Sequence, residues 1–271
     1  GPPNTLADSG GYTSCVFVEP GVADWKGPSL IASRTNQAEI SEELWRIPLD
    51  PDQREPELIG YGRQPTTRGS LMAWVGTEPG AEGIWLRDLA SDEPPQRVSE
   101  SVDLSWPSIA EGGATIACEQ PLRTRTGIQL LDVESGKGEW MITREERQPV
   151  YSPDGTTMLV AKHGQIWTLT GSVREEADEE RVTDAGYEHV DASWGPRGEW
   201  IAFIGRWNER ASNVGMLHLP TGRSVWVTEG MSAARSPVIA HNGRALAYIA
   251  AGDDDDNAIY VRRLKLRRPR G

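Results

Sequence analysis

The chain is expected to be an all-β, six-bladed β-propeller built from four-stranded antiparallel blades, and three features of its sequence predict this. One turn-and-strand frame recurs six times, starting near residues 23, 64, 106, 148, 191 and 236, at intervals of 41, 42, 42, 43 and 45. Four short β-like segments accompany most copies, and a repeat of roughly 40–45 residues with four strands is the pattern of a propeller blade. No long helical period competes, while 29 Gly and 19 Pro supply the tight turns that such a fold needs.

The frame is x-Pro, two β-formers, then a turn ending in Gly. It reads Trp106-Pro107-Ser108-Ile109-Ala110-Glu111-Gly112-Gly113, Gln148-Pro149-Val150-Tyr151-Ser152-Pro153-Asp154-Gly155 and Ser236-Pro237-Val238-Ile239-Ala240-His241-Asn242-Gly243. Asp191-Ala192-Ser193-Trp194-Gly195-Pro196-Arg197-Gly198 lacks the first Pro, and Gln64-Pro65-Thr66-Thr67-Arg68-Gly69 has a shortened turn. Ala23-Asp24-Trp25-Lys26-Gly27-Pro28 is a weaker first copy. Pro and Asp initiate the turn and Gly takes its positive-φ position, so the next strand folds back antiparallel.

Apolar-alternating second strands follow at 30–33, 71–75, 115–118, 158–161, 200–204 and 245–249. Third strands follow at 44–49, 84–89, 128–133, 166–169, 214–219 and 259–264, with Trp45, Trp85, Trp167 and Tyr260 in equivalent register. Short outer strands are expected at 57–59, 97–99, 139–143, 181–183 and 224–228, and the acidic stretch 174–181 as a solvated loop. The sixth unit lacks an outer strand. The segment 12–18, with Val16, Phe17 and Val18, is therefore expected to pair with the third strand of the last blade, closing the ring from within an N-terminal segment 1–22 and removing an exposed edge. Residues 1–271 then form one propeller domain, as the length permits.

The run Ser152-Pro153-Asp154-Gly155 followed by Gln165-Ile166-Trp167 resembles the S-P-D-G…I-[YW] repeat of TolB-type six-bladed propellers. Ser193-Trp194-Gly195-Pro196-Arg197-Gly198 with Trp200-Ile201-Ala202-Phe203, and Ala258-Ile259-Tyr260-Val261, match the same pattern, so the resemblance spans roughly residues 20–264. It implies a propeller fold and an extracytoplasmic setting, periplasmic or at the cell surface. Propellers of this type serve as protein scaffolds, peptidase accessory domains, sensors and occasionally enzymes, so the likeness does not select one function.

The net charge of −12, from 28 basic and 40 acidic residues, repels a phosphate backbone and speaks against nucleic acid as a ligand. No apolar run is long enough to span a bilayer. The opening Gly1-Pro2 reads as a protease scar, so a native export signal or membrane anchor is expected to have been removed. Cys15 and Cys118 are too few for a disulfide framework and read as buried apolar thiols in strands. A monomer is expected.

A propeller presents ligands where the loops between blades enter the channel. Arg63, Arg147 and Arg235 share one register in blades two, four and six, a third of a turn apart around one mouth. Their guanidinium groups suit a carboxylate, a phosphate or an acidic peptide tail, or else brace neighbouring blades through carbonyls. Gln64, Trp106, Gln148, Asp191 and Ser236 form the next ring inward, with His189 just outside Asp191, a mix that suits a binding mouth or a water-filled channel. Trp207, in a polar loop between Arg206 and Arg210, is a further partner contact. The four carboxylates Asp253–Asp256 lack the spacing of a calcium loop and read as a solvated hairpin tip. No nucleophile elbow or zinc-protease motif occurs, and His163, His189, His218 and His241 are scattered, so no catalytic residue, metal or cofactor is expected. The sequence thus favours a non-catalytic binding or scaffold propeller that receives a peptide, a protein segment or a small anionic ligand. The alternatives are an accessory or sensor propeller of a larger membrane-anchored or peptidase protein, and a propeller lyase or hydrolase acting on glycans.

Overall fold

The repeated turn chemistry folds the chain into six four-stranded antiparallel sheets. The computed structural model describes residues 4–7, 11–18, 21, 22, 25, 27–50, 55–142, 145–170, 178–184, 186–207, 211–230, 233–251 and 257–265. From the channel outward, blade one holds Tyr12–Val18, Ser29–Asn36, Ser41–Pro48 and Glu57–Tyr61, and blade two Arg63–Arg68, Leu71–Gly76, Gly83–Asp88 and Gln96–Ser99. Blade three holds Ser105–Ile109, Thr115–Pro121, Thr126–Asp132 and Gly138–Ile142, and blade four Arg147–Tyr151, Thr157–Lys162, Gln165–Thr170 and Asp178–Arg181. Blade five holds Glu188–Trp194, Trp200–Arg206, Ser212–His218 and Arg223–Trp226. Blade six holds Arg235–Ile239, Ala245–Ala251 and Asn257–Arg263, completed by Asn4–Ala7 from the other end of the chain.

Burial follows from stacking. Each second strand lies between two neighbouring blades and is covered on both faces, so Leu71–Gly76, Thr157–Lys162 and Ala245–Ala251 are almost continuously buried rather than alternating. One apolar cluster occupies each junction. Phe17, Leu30 and Ala32 of blade one, for example, meet Ala247, Ile249 and Ile259 of blade six, while Ile204 and Val214 of blade five meet Leu246 and Tyr248. Cys15 and Cys118 are free, buried thiols inside these clusters.

Three expectations are corrected. The ring is closed from the N-terminus, but by Asn4–Ala7, which pairs with Asn257–Arg263 through Thr5 opposite Tyr260. Tyr12–Val18 is instead the inner strand of blade one, paired with Ser29–Asn36. Blade one therefore begins at Tyr12 rather than near residue 23. The physical reason is that the chain runs from Val18 to Ser29 without the Pro-Asp-Gly turn that sets register elsewhere. The acidic stretch also differs, since Asp178–Arg181 is the outer strand of blade four, paired with Gln165–Thr170. An outer strand covers one neighbour only and tolerates charge, and Glu179 joins Glu146 in holding the buried Lys162 ammonium, at 2.5 and 3.1 Å. Residues 253–256 lie outside the described residues.

Candidate ligand-binding mouth of the channel

Five inner strands carry the same backbone irregularity. Gln64, Trp106, Gln148, Asp191 and Ser236 have φ of 52°, 51°, 52°, 56° and 49°, in the left-handed region that non-glycine residues avoid. Each lies in a bulge: the pairing register jumps from Arg63 to Thr66, Ser105 to Ser108, Arg147 to Val150, Val190 to Ser193 and Arg235 to Val238. Such conformations cost about 1 kcal/mol or more each and persist only where surrounding bonds hold them.

Those bonds form a circuit around the channel. Gln64 Oε1 accepts the Trp106 N–H at 2.9 Å, Gln148 Oε1 accepts the Asp191 N–H at 2.9 Å, Asp191 Oδ2 accepts the Ser236 N–H at 2.6 Å, and Ser236 Oγ accepts the Cys15 N–H at 3.0 Å. The first three each cap the bulge of the next blade, while Ser236 binds the inner strand of blade one at Cys15, just past its register shift between Tyr12 and Ser14. Trp106 has no acceptor to offer, and Glu119 of the adjacent strand takes its place, accepting the Gln148 N–H at 2.9 Å. Desolvation raises the carboxyl pKa of both Asp191 and Glu119. It is opposed at Asp191 by the Ser236 N–H, Arg206 and Arg235, and at Glu119 by the Gln148 N–H and Arg147.

Above this circuit opens a cavity of about 1210 Å³, into which Arg63, Arg206, Arg235, Trp106 and Trp207 all face. Arg147 lines an adjoining hollow of about 520 Å³ that shares Trp106, Gln148, His163 and Arg206 with it. Of the three arginines expected at the mouth, Arg63 reaches Glu42 of blade one at 3.7 Å and Arg235 Nε donates to the Ala233 carbonyl at 3.5 Å, within its own loop. Arg147 is exposed, pairs with Ala161 in the strand ladder, and its charge acts on Glu119 of blade three. Arg206, which was not singled out from the sequence, pairs with Glu188 at 3.3 Å. His189 does not line the cavity. It is buried, bonded to Gln165 Oε1 at 3.3 Å and edge-on to Phe203, and desolvation lowers its pKa, favouring the neutral ring.

Below the circuit lies a second chamber of about 450 Å³, lined by Pro65, Pro107, Pro149 and Pro237 of the inner strands together with Arg68, Trp194 and His241. Arg68 closes it. Its Nε donates to the Ile109 carbonyl at 2.8 Å, Nη1 to Pro153 at 3.0 Å, and Nη2 to Ser152 at 2.8 Å and Tyr151 at 3.4 Å, tying blade two to blades three and four. The signal in the sequence was the shortened turn of blade two, which places an arginine where other blades spend residues on the turn itself. Desolvation lowers the Arg68 pKa, with Glu111 and Asp154 opposing it.

Among the described residues no cluster of three or more His, Cys, Asp or Glu is arranged to hold a metal ion. His163 is exposed beside Glu145 at 3.3 Å, His218 Nδ1 lies 2.8 Å from the Thr221 hydroxyl, and His241 Nε2 faces the Phe17 carbonyl at 3.3 Å. No helix among these residues is long and apolar enough to cross a membrane.

No family model matches the chain, and no curated protein matches it. Solved structures do. A TolB from Acinetobacter baumannii superposes with a TM-score of 0.66 at 18% identity, covering 85% of this chain and 62% of that one. The chain thus spans less than two thirds of that protein's length. A protein from Agrobacterium tumefaciens described as a TolB gives 0.62 at 17% identity, covering 93% and 91%. A puromycin hydrolase gives 0.55 at 15% identity, with 96% of this chain lying on 45% of that one. The chain therefore has the six-bladed propeller fold found in TolB proteins, a fold also found in enzymes.

Proposed function

We propose that the chain is a non-catalytic binding propeller whose channel mouth receives an acidic segment of a protein or peptide partner, in an extracytoplasmic setting. The supporting observation is how differently the arginines at the two ends of the channel are satisfied. Arg68 places its donors on four carbonyls, whereas at the open mouth Arg63 and Arg206 each reach one carboxylate, at 3.7 and 3.3 Å, Arg235 reaches one carbonyl at 3.5 Å, and Arg147 is exposed with its charge acting on Glu119. Guanidinium forks held at such a rim match carboxylates, and the acidity of the remaining surface steers an acidic segment toward the one end that attracts it.

A fluorescein-labelled hexaglutamate peptide tests this by anisotropy. Binding is expected at low ionic strength, to weaken as salt rises, and to be absent for hexalysine. Equal binding by an Arg63→Ala/Arg147→Ala/Arg235→Ala variant overturns the proposal, as does the absence of any salt-sensitive binding.

A second reading, an accessory propeller of a larger protein, is favoured by the match to a puromycin hydrolase of which this chain spans 45%. The native reading frame on either side of these residues decides it.

A further inference from the structure

Beside the mouth, on blade five, three aromatic rings from separate segments meet. Trp207 packs between Tyr187 and Trp226, with centroids 4.8 and 4.9 Å away and planes tilted by 52° and 50°. They are 46% (Tyr187), 38% (Trp207) and 41% (Trp226) exposed, and among the described residues only Tyr61 and Trp140 are other aromatic rings as open as these. Exposed aromatic surface is thus gathered at one place, and gathered apolar surface on a soluble fold marks a contact site.

The sheet gives up side chains to form this ridge. A Cβ on Gly205 would strike the Trp226 ring, and one on Gly215 would come within 3.0 Å of Trp226 Cζ3 and 2.5 Å of Phe203 Cζ. Glycine weakens a strand, and its use at neighbouring points of two strands seats the indole flat on the backbone. That seat leaves Trp226 well exposed, so self-burial is not what it achieves. Phe203 supports the ring from below, edge to face at 5.8 Å.

Tyr187 and Trp207 are also walls of the mouth cavity, and the residues next to them in sequence, Glu188 and Arg206, form the ion pair on its rim. Apolar ridge and arginine-lined mouth are one continuous surface. Tyr, Trp and Arg together are the residue types that carry most of the energy at protein interfaces. We infer that this ridge is the apolar half of the same recognition site: the partner is a protein segment carrying an aromatic or large aliphatic side chain close to the acidic residue that enters the mouth. The inference rests on the mouth as an acidic-segment site, and it adds what a purely electrostatic mouth lacks, a means of telling one acidic segment from another.

Three labelled peptides separate the two ideas: an acidic Glu/Ser peptide, the same peptide with one Phe two residues from the acid, and a neutral version of the second with Gln for Glu. The Phe is expected to tighten binding about tenfold. Trp207→Ala should abolish that gain, so that the Phe-containing and Phe-free acidic peptides bind the variant equally. Gly205→Ala, which displaces Trp226 without deleting a ring, should reduce the gain, with thermal melts confirming that both variants are folded. A Phe that changes nothing, or a gain that survives Trp207→Ala, overturns the ridge and leaves the arginine mouth standing. If no acidic peptide binds, the mouth fails, and the neutral Phe peptide then decides the ridge alone: Trp207-dependent binding supports it and absence of binding overturns it. A Trp207-dependent dimer in sedimentation would assign the ridge to a second copy of the chain and overturn the peptide assignment.

Discussion

The two ends of the channel use the same side chain in opposite ways. At the turn end, Arg68 reaches across two blade junctions and its donors are taken up by four carbonyls. At the mouth, arginines in repeated register stand over a cavity of about 1210 Å³ and an adjoining hollow, and Arg147 is exposed there. A propeller needs its blades tied together, and one end shows what an arginine tie looks like when geometry allows it. The mouth arginines are held more loosely, because Arg63 reaches Glu42 of blade one at 3.7 Å and Arg235 donates to one carbonyl of its own loop at 3.5 Å. Blade cohesion there rests instead on Gln64, Gln148, Asp191, Ser236 and Glu119, whose uncharged or acidic acceptors cap the bulges directly.

The largest expected effect falls at the Arg68 end. Arg68→Ala removes a half-buried guanidinium from four carbonyls, and charge-assisted bonds of this kind contribute about 1.5–3 kcal/mol. Melting should therefore fall by several degrees while hexaglutamate binding is unchanged. A variant that melts normally, or that loses peptide affinity, would erase the contrast between the ends.

The next largest effect is at the open end, with the readouts exchanged. Arg63→Ala, Arg147→Ala and Arg235→Ala should each weaken an acidic peptide by about 1–3 kcal/mol and leave melting nearly unaltered. Of the three, Arg63→Ala should cost some stability as well, since Glu42 belongs to the neighbouring blade and loses its partner. If all three lower the melting temperature with affinity intact, they brace the blades and the two ends are alike.

How much of this was legible in the sequence differs by level. The period is carried by Pro, Asp and Gly at fixed offsets, and those residues act locally, so six blades and their second and third strands could be read directly. Blade one could not be placed, because its first turn lacks that chemistry. Asn4–Ala7 was invisible for a different reason: a closing edge strand pairs along one side and needs no apolar alternation. Arg63, Arg147 and Arg235 were legible because repetition makes equal register into equal position. The ridge was not, since Tyr187, Trp207 and Trp226 are far apart in sequence and belong to one blade rather than to equivalent places in several. Its trace was Gly205 and Gly215, two glycines inside strands, where a glycine signals close approach by another group.

The smallest effect sharpens the comparison from inside the circuit. Asp191 combines both roles, since its Oδ2 caps the Ser236 bulge while its charge faces Arg206 and Arg235. Burial raises its pKa above the ordinary 3.8. As pH rises through 3.8 the unfolded carboxyl ionises first, so the folded state holds the extra proton and stability falls until pH passes the raised folded value, above which the loss is complete. Asp191→Asn keeps an oxygen for the Ser236 N–H but has nothing to ionise. It should match the native chain in acid, where Asp191 is protonated in both states, and melt a few degrees higher at neutral pH. It should also bind hexaglutamate two- to threefold more tightly, a change of about 0.4–0.7 kcal/mol, because the field of Arg206 and Arg235 is no longer offset from below. Asp191→Ala, which removes the cap as well, should bind as tightly but melt lower. Melting curves for the two variants that coincide at neutral pH would mean that the Asp191 carboxyl does not hold the bulge, and unchanged affinity in both would mean that the mouth does not sense charge at this position.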